Sequence, residues 1–137
     1  MAEPCGDRRT IVAAIGALPF LPIFRKAPAM STVPTIARIW RGRTRPERAD
    51  EYEAYNRAEG VPPLEKTALG VQLLREDRPD ETWFTTISYW KDMAAMTAFT
   101  KGEPTAVHHL PRDRELLIEL PERIQIHRIV VDEYGLR

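Results

Sequence analysis

Two adjacent imidazoles, His108 and His109, sit in a short stretch bounded by Pro104 and Pro111. Histidine ordinarily titrates close to neutral pH, so it can take up and return a proton in a reaction. Neighbours on a turning backbone point apart, so one of the pair faces a pocket and the other faces solvent. Trp40, Tyr89, Trp90 and Phe99 can wall such a pocket with flat apolar surface, and Tyr52 and Tyr55 add phenols. The chemistry this set suits is proton abstraction from an electron-rich small molecule in a dry, polar-oriented cavity. His108 and His109 are the candidate catalytic groups. Trp40, Tyr89, Trp90 and Phe99 are the candidate contacts to a small apolar or aromatic ligand.

Other chemistries find no support. Ser88 lies in a strand-like run without a Gly-x-Ser-x-Gly elbow, and there is no glycine-rich phosphate loop. Cys5 is the single cysteine, so no intramolecular disulfide forms. His108, His109 and His127 lack the spacing of metal ligands, and no metal is expected. The acidic pairs Asp50-Glu51 and Asp132-Glu133 read as solvated surface. Arg41-Gly42-Arg43 with Arg45 reads as an exposed strand exit rather than an anion site. Formal net charge is zero and no basic stripe appears, which argues against nucleic acid as a partner.

The elements that must position these side chains follow from the periodicity. Thr35–Arg41 is β-branched and aromatic and reads as a strand. Thr44 and Glu47 have capping-box spacing, with Pro46 in the first turn, so a helix starts there and runs to Gly60, a left-handed stop before Val61-Pro-Pro63. Ala68–Glu76 is a second strand, with Leu69, Val71 and Leu73 on one face. A polar turn at 77–80 leads to a third strand, Glu81–Trp90, and the two form a hairpin. Asp92 caps a second helix carrying Met93, Met96 and Phe99, which ends at Gly102-Glu-Pro104. Residues 105–120 hold one or two short helical turns. Arg123–Asp132 is the last strand, with Ile124, Ile126 and Val130 on one face.

The order strand, helix, strand, strand, helix, strand predicts an α+β, ferredoxin-like βαββαβ fold with an antiparallel sheet. Residues 34–137 form that domain, and residues 1–33 an extension outside it. The run Thr10–Phe24 is apolar and follows Arg8-Arg9, which resembles a secretory signal. Glu3, Asp7, Pro19, Pro22 and Arg25-Lys26 weaken that reading, and the run falls short of the ~20 residues of a spanning helix. Met30 leads straight into the first strand and reads as a natural beginning. The expectation is a cytoplasmic protein with no membrane partner, whose residues 1–29 are dispensable for folding. Helices cover one sheet face, yet large apolar side chains also fall on the other. A second copy covering it predicts a homodimer.

Ile36-Ala-Arg-Ile-Trp-Arg-Gly42, Tyr89-Trp-Lys-Asp-Met93 with Ala98-Phe99, and Ala106-Val-His-His-Leu-Pro-Arg-Asp113 with Leu116-Leu117 resemble the antibiotic biosynthesis monooxygenase-like proteins of the dimeric α/β-barrel superfamily. The resemblance covers about Thr35 to Val131. It implies a cofactor-independent monooxygenase acting on aromatic or polyketide-like substrates, or a non-catalytic dimeric ligand-binding protein. A third branch degrades haem, with an axial histidine placed like His109 after an aromatic residue on the second helix. That branch has Trp where this chain has Phe99, and an Asn on the first strand that Ile36–Trp40 lacks. The resemblance therefore implies neither haem nor any other cofactor.

Overall fold

The computed structural model describes residues 33–133 together with Gly16. Strand β1 spans Ile36–Thr44. A 3₁₀ turn at Pro46–Arg48 leads into helix α1, Ala49–Tyr55, then a π-helical segment, Asn56–Gly60, and helix α2, Val61–Glu65. Strands β2, Gly70–Asp77, and β3, Thr82–Trp90, follow. Helix α3 is Met93–Thr100, α4 is Asp113–Leu116 and β4 is Gln125–Arg128. The strands form one antiparallel sheet in the order β2-β3-β1-β4. This is the ferredoxin-like α+β architecture. The expectations for the N-terminal extension, Cys5 and Met30 lie outside the described residues. Among the described residues no helix is long and apolar enough to cross a membrane.

Strand alternation decides which side chains meet the helices. The register pairs Ile36 with Trp90, Arg38 with Ser88, Trp40 with Thr86 and Gly42 with Phe84, and directly opposed residues share a face. That face is buried, and β3 alternates buried and half-buried residues along its whole length. Two clusters fill the space under the helices. One joins Trp40, Tyr52, Phe84, Leu116, Leu117 and Ile124. The other joins Ile36, Leu64, Trp90 and Met96. Tyr52 stacks on Trp40 with centroids 6.2 Å apart and meets Phe84 edge-on at 5.1 Å, which docks α1 on the sheet. The opposite face carries Ile39, Ile87, Trp83, Tyr89 and Leu74, the last 47% exposed.

Several boundaries differ from the sequence reading. Thr44 is the last residue of β1, paired with Thr82, so it is spent on the sheet and does not cap the helix; Arg45 occupies the cap position without a side-chain bond. Gly60 does not stop the helix. Its φ is −85°, and the chain continues through Pro62 and Pro63 because the π-helical segment changes the hydrogen-bond register first, with the Val61 N–H reaching the Asn56 carbonyl. Pro62 then stands where its missing N–H costs little. Space at Gly60 is tight: a Cβ there would lie 2.5 Å from Asn56 Oδ1, and one of the two would have to move. Leu69 precedes β2 and is exposed, whereas Val71 and Leu73 pack on the core. Strand β4 is short, its four residues pairing with Ile36–Ile39 of β1. Val130 is therefore exposed instead of joining Ile124 and Ile126. Asp92 does cap α3, accepting from the Ala95 N–H at 2.8 Å.

Candidate functional site

A cavity of about 120 Å³ opens between the sheet and the helical cover. Strand β1 contributes Arg38 and Trp40 to its wall, β3 contributes Thr86 and Ser88, and Ile124 closes one side. From the helices come Tyr52, Asn56, Gly60, Leu64, Phe99 and Asp113, the first residue of α4, and from the stretch before α4 come His108 and Leu110. Trp40 fits because Gly42, two residues on and on the same face, leaves room for its ring; a Cβ on Gly42 would meet the indole at 2.4 Å. Behind Phe99 lies Trp90, ring centroids 5.3 Å apart, with its indole N–H held by Ser88 at 2.9 Å.

The stretch from Thr105 to Asp113 is pinned along its length. The Thr105 carbonyl accepts from the Ile124 N–H, and the Ala106 carbonyl from Arg38 Nη2 at 3.0 Å. The Leu110 N–H donates to Asp113 Oδ2 at 2.8 Å, and the Arg112 N–H to the Tyr55 hydroxyl at 3.0 Å. Outside, Arg112 and Arg48 share Glu51 and Glu115 and tie α4 to α1. These two guanidiniums hold the Glu115 carboxyl down at about 2, Arg112 contributing most. Such exposed pairs add little stability each but fix the side chains that cover the site.

Two groups of unlike character sit inside. Asp113 is only 2% exposed, and burial pushes its carboxyl pKa up, partly opposed by the Leu110 amide, the nearby His109 and Tyr52. The Tyr52 hydroxyl, itself pushed up by burial and by Asp113, donates to Asp113 Oδ1 at 3.4 Å and accepts from Asn56 Nδ2 at 3.5 Å. Arg38 is 6% exposed, its guanidinium 5.8 Å from the Phe99 ring centroid. The cavity thus offers aromatic walls, a chain of proton-holding groups and one buried cation. Among the described residues, no three His, Cys, Asp or Glu side chains gather as a metal ion would need.

The family model for antibiotic biosynthesis monooxygenases matches residues 35–109. The chain belongs to the antibiotic biosynthesis monooxygenase family. No curated protein matches it at a significant level. In this family member the matched region ends at His109, so it takes in the sheet through β3, helix α3 and the histidine pair, but not Asp113 or β4.

Of the residues singled out from sequence, the fold brings together Trp40, Phe99 and His108. His108 stands at the mouth, its ring edge-on to Phe99 at 6.1 Å. His109 is exposed and does not line the cavity, as expected for one of two neighbours. Trp90 forms a second layer behind Phe99. Tyr89 is a correction: it points to the opposite sheet face, where its hydroxyl donates to Gln72 at 2.7 Å. Strand alternation places Tyr89 and Trp90 on different faces, so both could not reach one pocket. Arg38, Asn56 and Asp113 were not foreseen. Arg38 carried a usable signal, a charged residue at an inward position of an otherwise apolar strand, between Ile36 and Trp40. Asp113 and Asn56 carried none, since their neighbours in space are remote in sequence. Arg43 is occupied by Glu81 at 2.7 Å and Glu119 at 3.0 Å, so Arg41–Arg43 offers no anion site through it.

Proposed function

We propose that this protein is a cofactor-independent monooxygenase acting on a small aromatic or polyketide-like substrate held between the sheet and helices. The observation that carries the reading is the cavity itself. Its aromatic walls suit a flat conjugated ring, and proton acceptors stand both at the mouth and inside. A volume of about 120 Å³ is on the scale of one ring, since an engineered cavity of ~150 Å³ takes benzene. The rest of a larger substrate extends through the mouth past His108.

In this reading His108 takes a proton from a methylene acidified by a neighbouring carbonyl or aryl group. The carbanion passes electrons to dioxygen, and the resulting hydroperoxide loses water to leave a carbonyl. CH₂ and O₂ become C=O and H₂O, so the substrate supplies every electron and no external reductant enters. The protein's share is positioning, proton transfer and stabilisation of the anion in a water-poor site. The active unit is a homodimer closed over the free sheet face. The second reading, a non-catalytic ligand-binding dimer, is favoured by the exposure of His108.

The test is oxygen uptake by the full chain against a panel of hydroxylated polycyclic aromatics, repeated with His108→Ala and His109→Ala. His108→Ala should lower turnover by about 10²–10⁴-fold with binding retained, the usual range for a lost general base. His109→Ala should leave turnover near wild type. Loss of binding without any turnover in wild type supports the ligand-binding reading. Indifference to both substitutions removes the histidines from the site.

A further inference from the structure

A buried guanidinium normally stands opposite a carboxylate, because an uncompensated charge away from water is costly. Arg38 breaks that rule. It lies on the helix-covered face of β1 between Ile36 and Trp40 and lines the cavity. Among the described residues, Nη2 donates to the carbonyl of Ala106 and the buried Nε has no partner. Among the described residues no carboxylate pairs with it. Asp113 and Glu59 share the cavity wall, yet neither forms an ion pair with it, and Asp113 is engaged by Leu110 and Tyr52. Burial lowers the Arg38 pKa and no carboxylate offsets the effect, yet a guanidinium stays charged throughout the neutral range. Other arginines of this protein are handled differently. Arg75, Arg112 and Arg43 each engage two or more carboxylates.

We propose that the cavity takes its ligand as an anion, a phenolate, enolate or carboxylate on a single aromatic or conjugated ring, with the charged oxygen on the guanidinium of Arg38. The ring would stack among Trp40, Phe99 and Leu64, and the oxygen would satisfy donors that the protein leaves open. A planar guanidinium suits such an oxygen better than an ammonium would, and the pairing is strong because it is dry. The inference rests on the reading of this cavity as the ligand site and adds the class of ligand: an aromatic or conjugated acid bound as its conjugate base. Arg38 then holds the anion that proton abstraction creates, while His108 at the mouth holds the proton.

The experiment uses the full chain with three probes. 4-Nitrophenol reports its own ionisation by absorbance, nitrobenzene is its neutral counterpart in shape, and benzoate and benzamide compete for the same space. The bound nitrophenol should ionise about 1–3 pH units below the free compound, the usual effect of a close opposite charge. Benzoate should displace it and benzamide at equal concentration should not. Arg38→Met should abolish the shift while nitrobenzene still binds, and Arg38→Lys should restore part of it. The result that overturns the inference is a bound nitrophenol ionising at or above the free value, no saturable binding, or a shift that survives Arg38→Met. Should Arg38→Met not fold, the wild-type shift and the Arg38→Lys response still decide. Oxygen uptake separates the two readings. An anion site without uptake defeats only the oxygenase, and uptake equal in wild type and Arg38→Met defeats only the anion site.

Discussion

Asp113 shows how a single buried carboxyl can tune both the site and the stability. Burial raises its pKa above that of an unfolded-chain aspartate, so the folded protein holds this proton more tightly than the unfolded one. Stability from this group is therefore fully present below the unfolded value and is lost as pH rises through the folded value. At neutral pH the wild type carries an unfavourable buried charge. Asparagine keeps an acceptor for the Leu110 N–H and removes the charge, while its amide N–H can donate to the Tyr52 hydroxyl in place of the bond that Asp113 accepts from it. Asp113→Asn should raise the melting temperature at neutral pH, and the gap to wild type should close on acidification towards pH 4. A variant whose loss of stability relative to wild type grows as pH rises to neutrality would show that the carboxylate charge is used, not tolerated. None of this was legible in the chain. Asp113 follows Pro111-Arg112 in a polar stretch and looks like any surface acid. Only the docking of α1, which lowers Tyr52 onto it from 61 residues away, makes it a buried group. His108 and Trp40 were legible because their side-chain chemistry and the local periodicity already carried the signal.

At the scale of elements, the helical cover owes its shape to the π-helical segment. It places Asn56 inward beside Tyr52 and lets the chain pass two prolines without a break. Gly60 makes this possible by leaving space for the Asn56 amide, with Leu110 also close by. Gly60→Ala introduces no backbone strain, since φ there is −85°, but the new methyl meets Asn56 Oδ1 at 2.5 Å. Asn56 must rotate away and its bond to Tyr52 breaks. A cost of ~1–3 kcal/mol is expected for such overpacking, read as a fall in the denaturation midpoint with unchanged slope. An unchanged midpoint would mean that the segment relaxes freely and that Gly60 is not a packing requirement. The element order and the β2–β3 hairpin were readable from periodicity, because strands of β-branched residues alternate and Asp92 is a cap that the local sequence fully specifies. The helix end was not. Gly60 before Val61-Pro-Pro63 has every local mark of a stop. Tertiary packing of Leu64, buried against Trp90 and Met96, carries the helix further than propensity alone would.

At the scale of the whole molecule, helices among the described residues leave one sheet face uncovered. Ile39 and Ile87 pair across β1 and β3, Leu74 stands beside Thr85, and Trp83 and Tyr89 flank them. Trp83 is overlaid by Arg41 at 4.8 Å and more loosely by Arg43 and Arg78, which pair with Glu81, Glu119 and Glu76, so the rim of this face is polar and charged and its centre apolar. A centre of that kind with a polar rim is the make-up of a specific protein interface. We propose a second copy as the partner, because a two-fold axis lays the same apolar centre on itself and needs no complementary partner of different chemistry. Two such sheets packed face to face would enclose a barrel-like core, leaving each ligand cavity on the far side of its own sheet. Light scattering of the full chain at micromolar concentration should give twice the chain mass. Ile87→Arg puts a charge at the centre of the buried patch, where it must be desolvated without a partner. It should shift the mass to that of one chain, and melting should then no longer depend on protein concentration. Residues on the cavity side are untouched by this change, so 4-nitrophenol binding by the Ile87→Arg monomer asks whether the site is complete within one chain. A wild type that scatters as a monomer at high concentration would show that no second copy covers this face in the native protein.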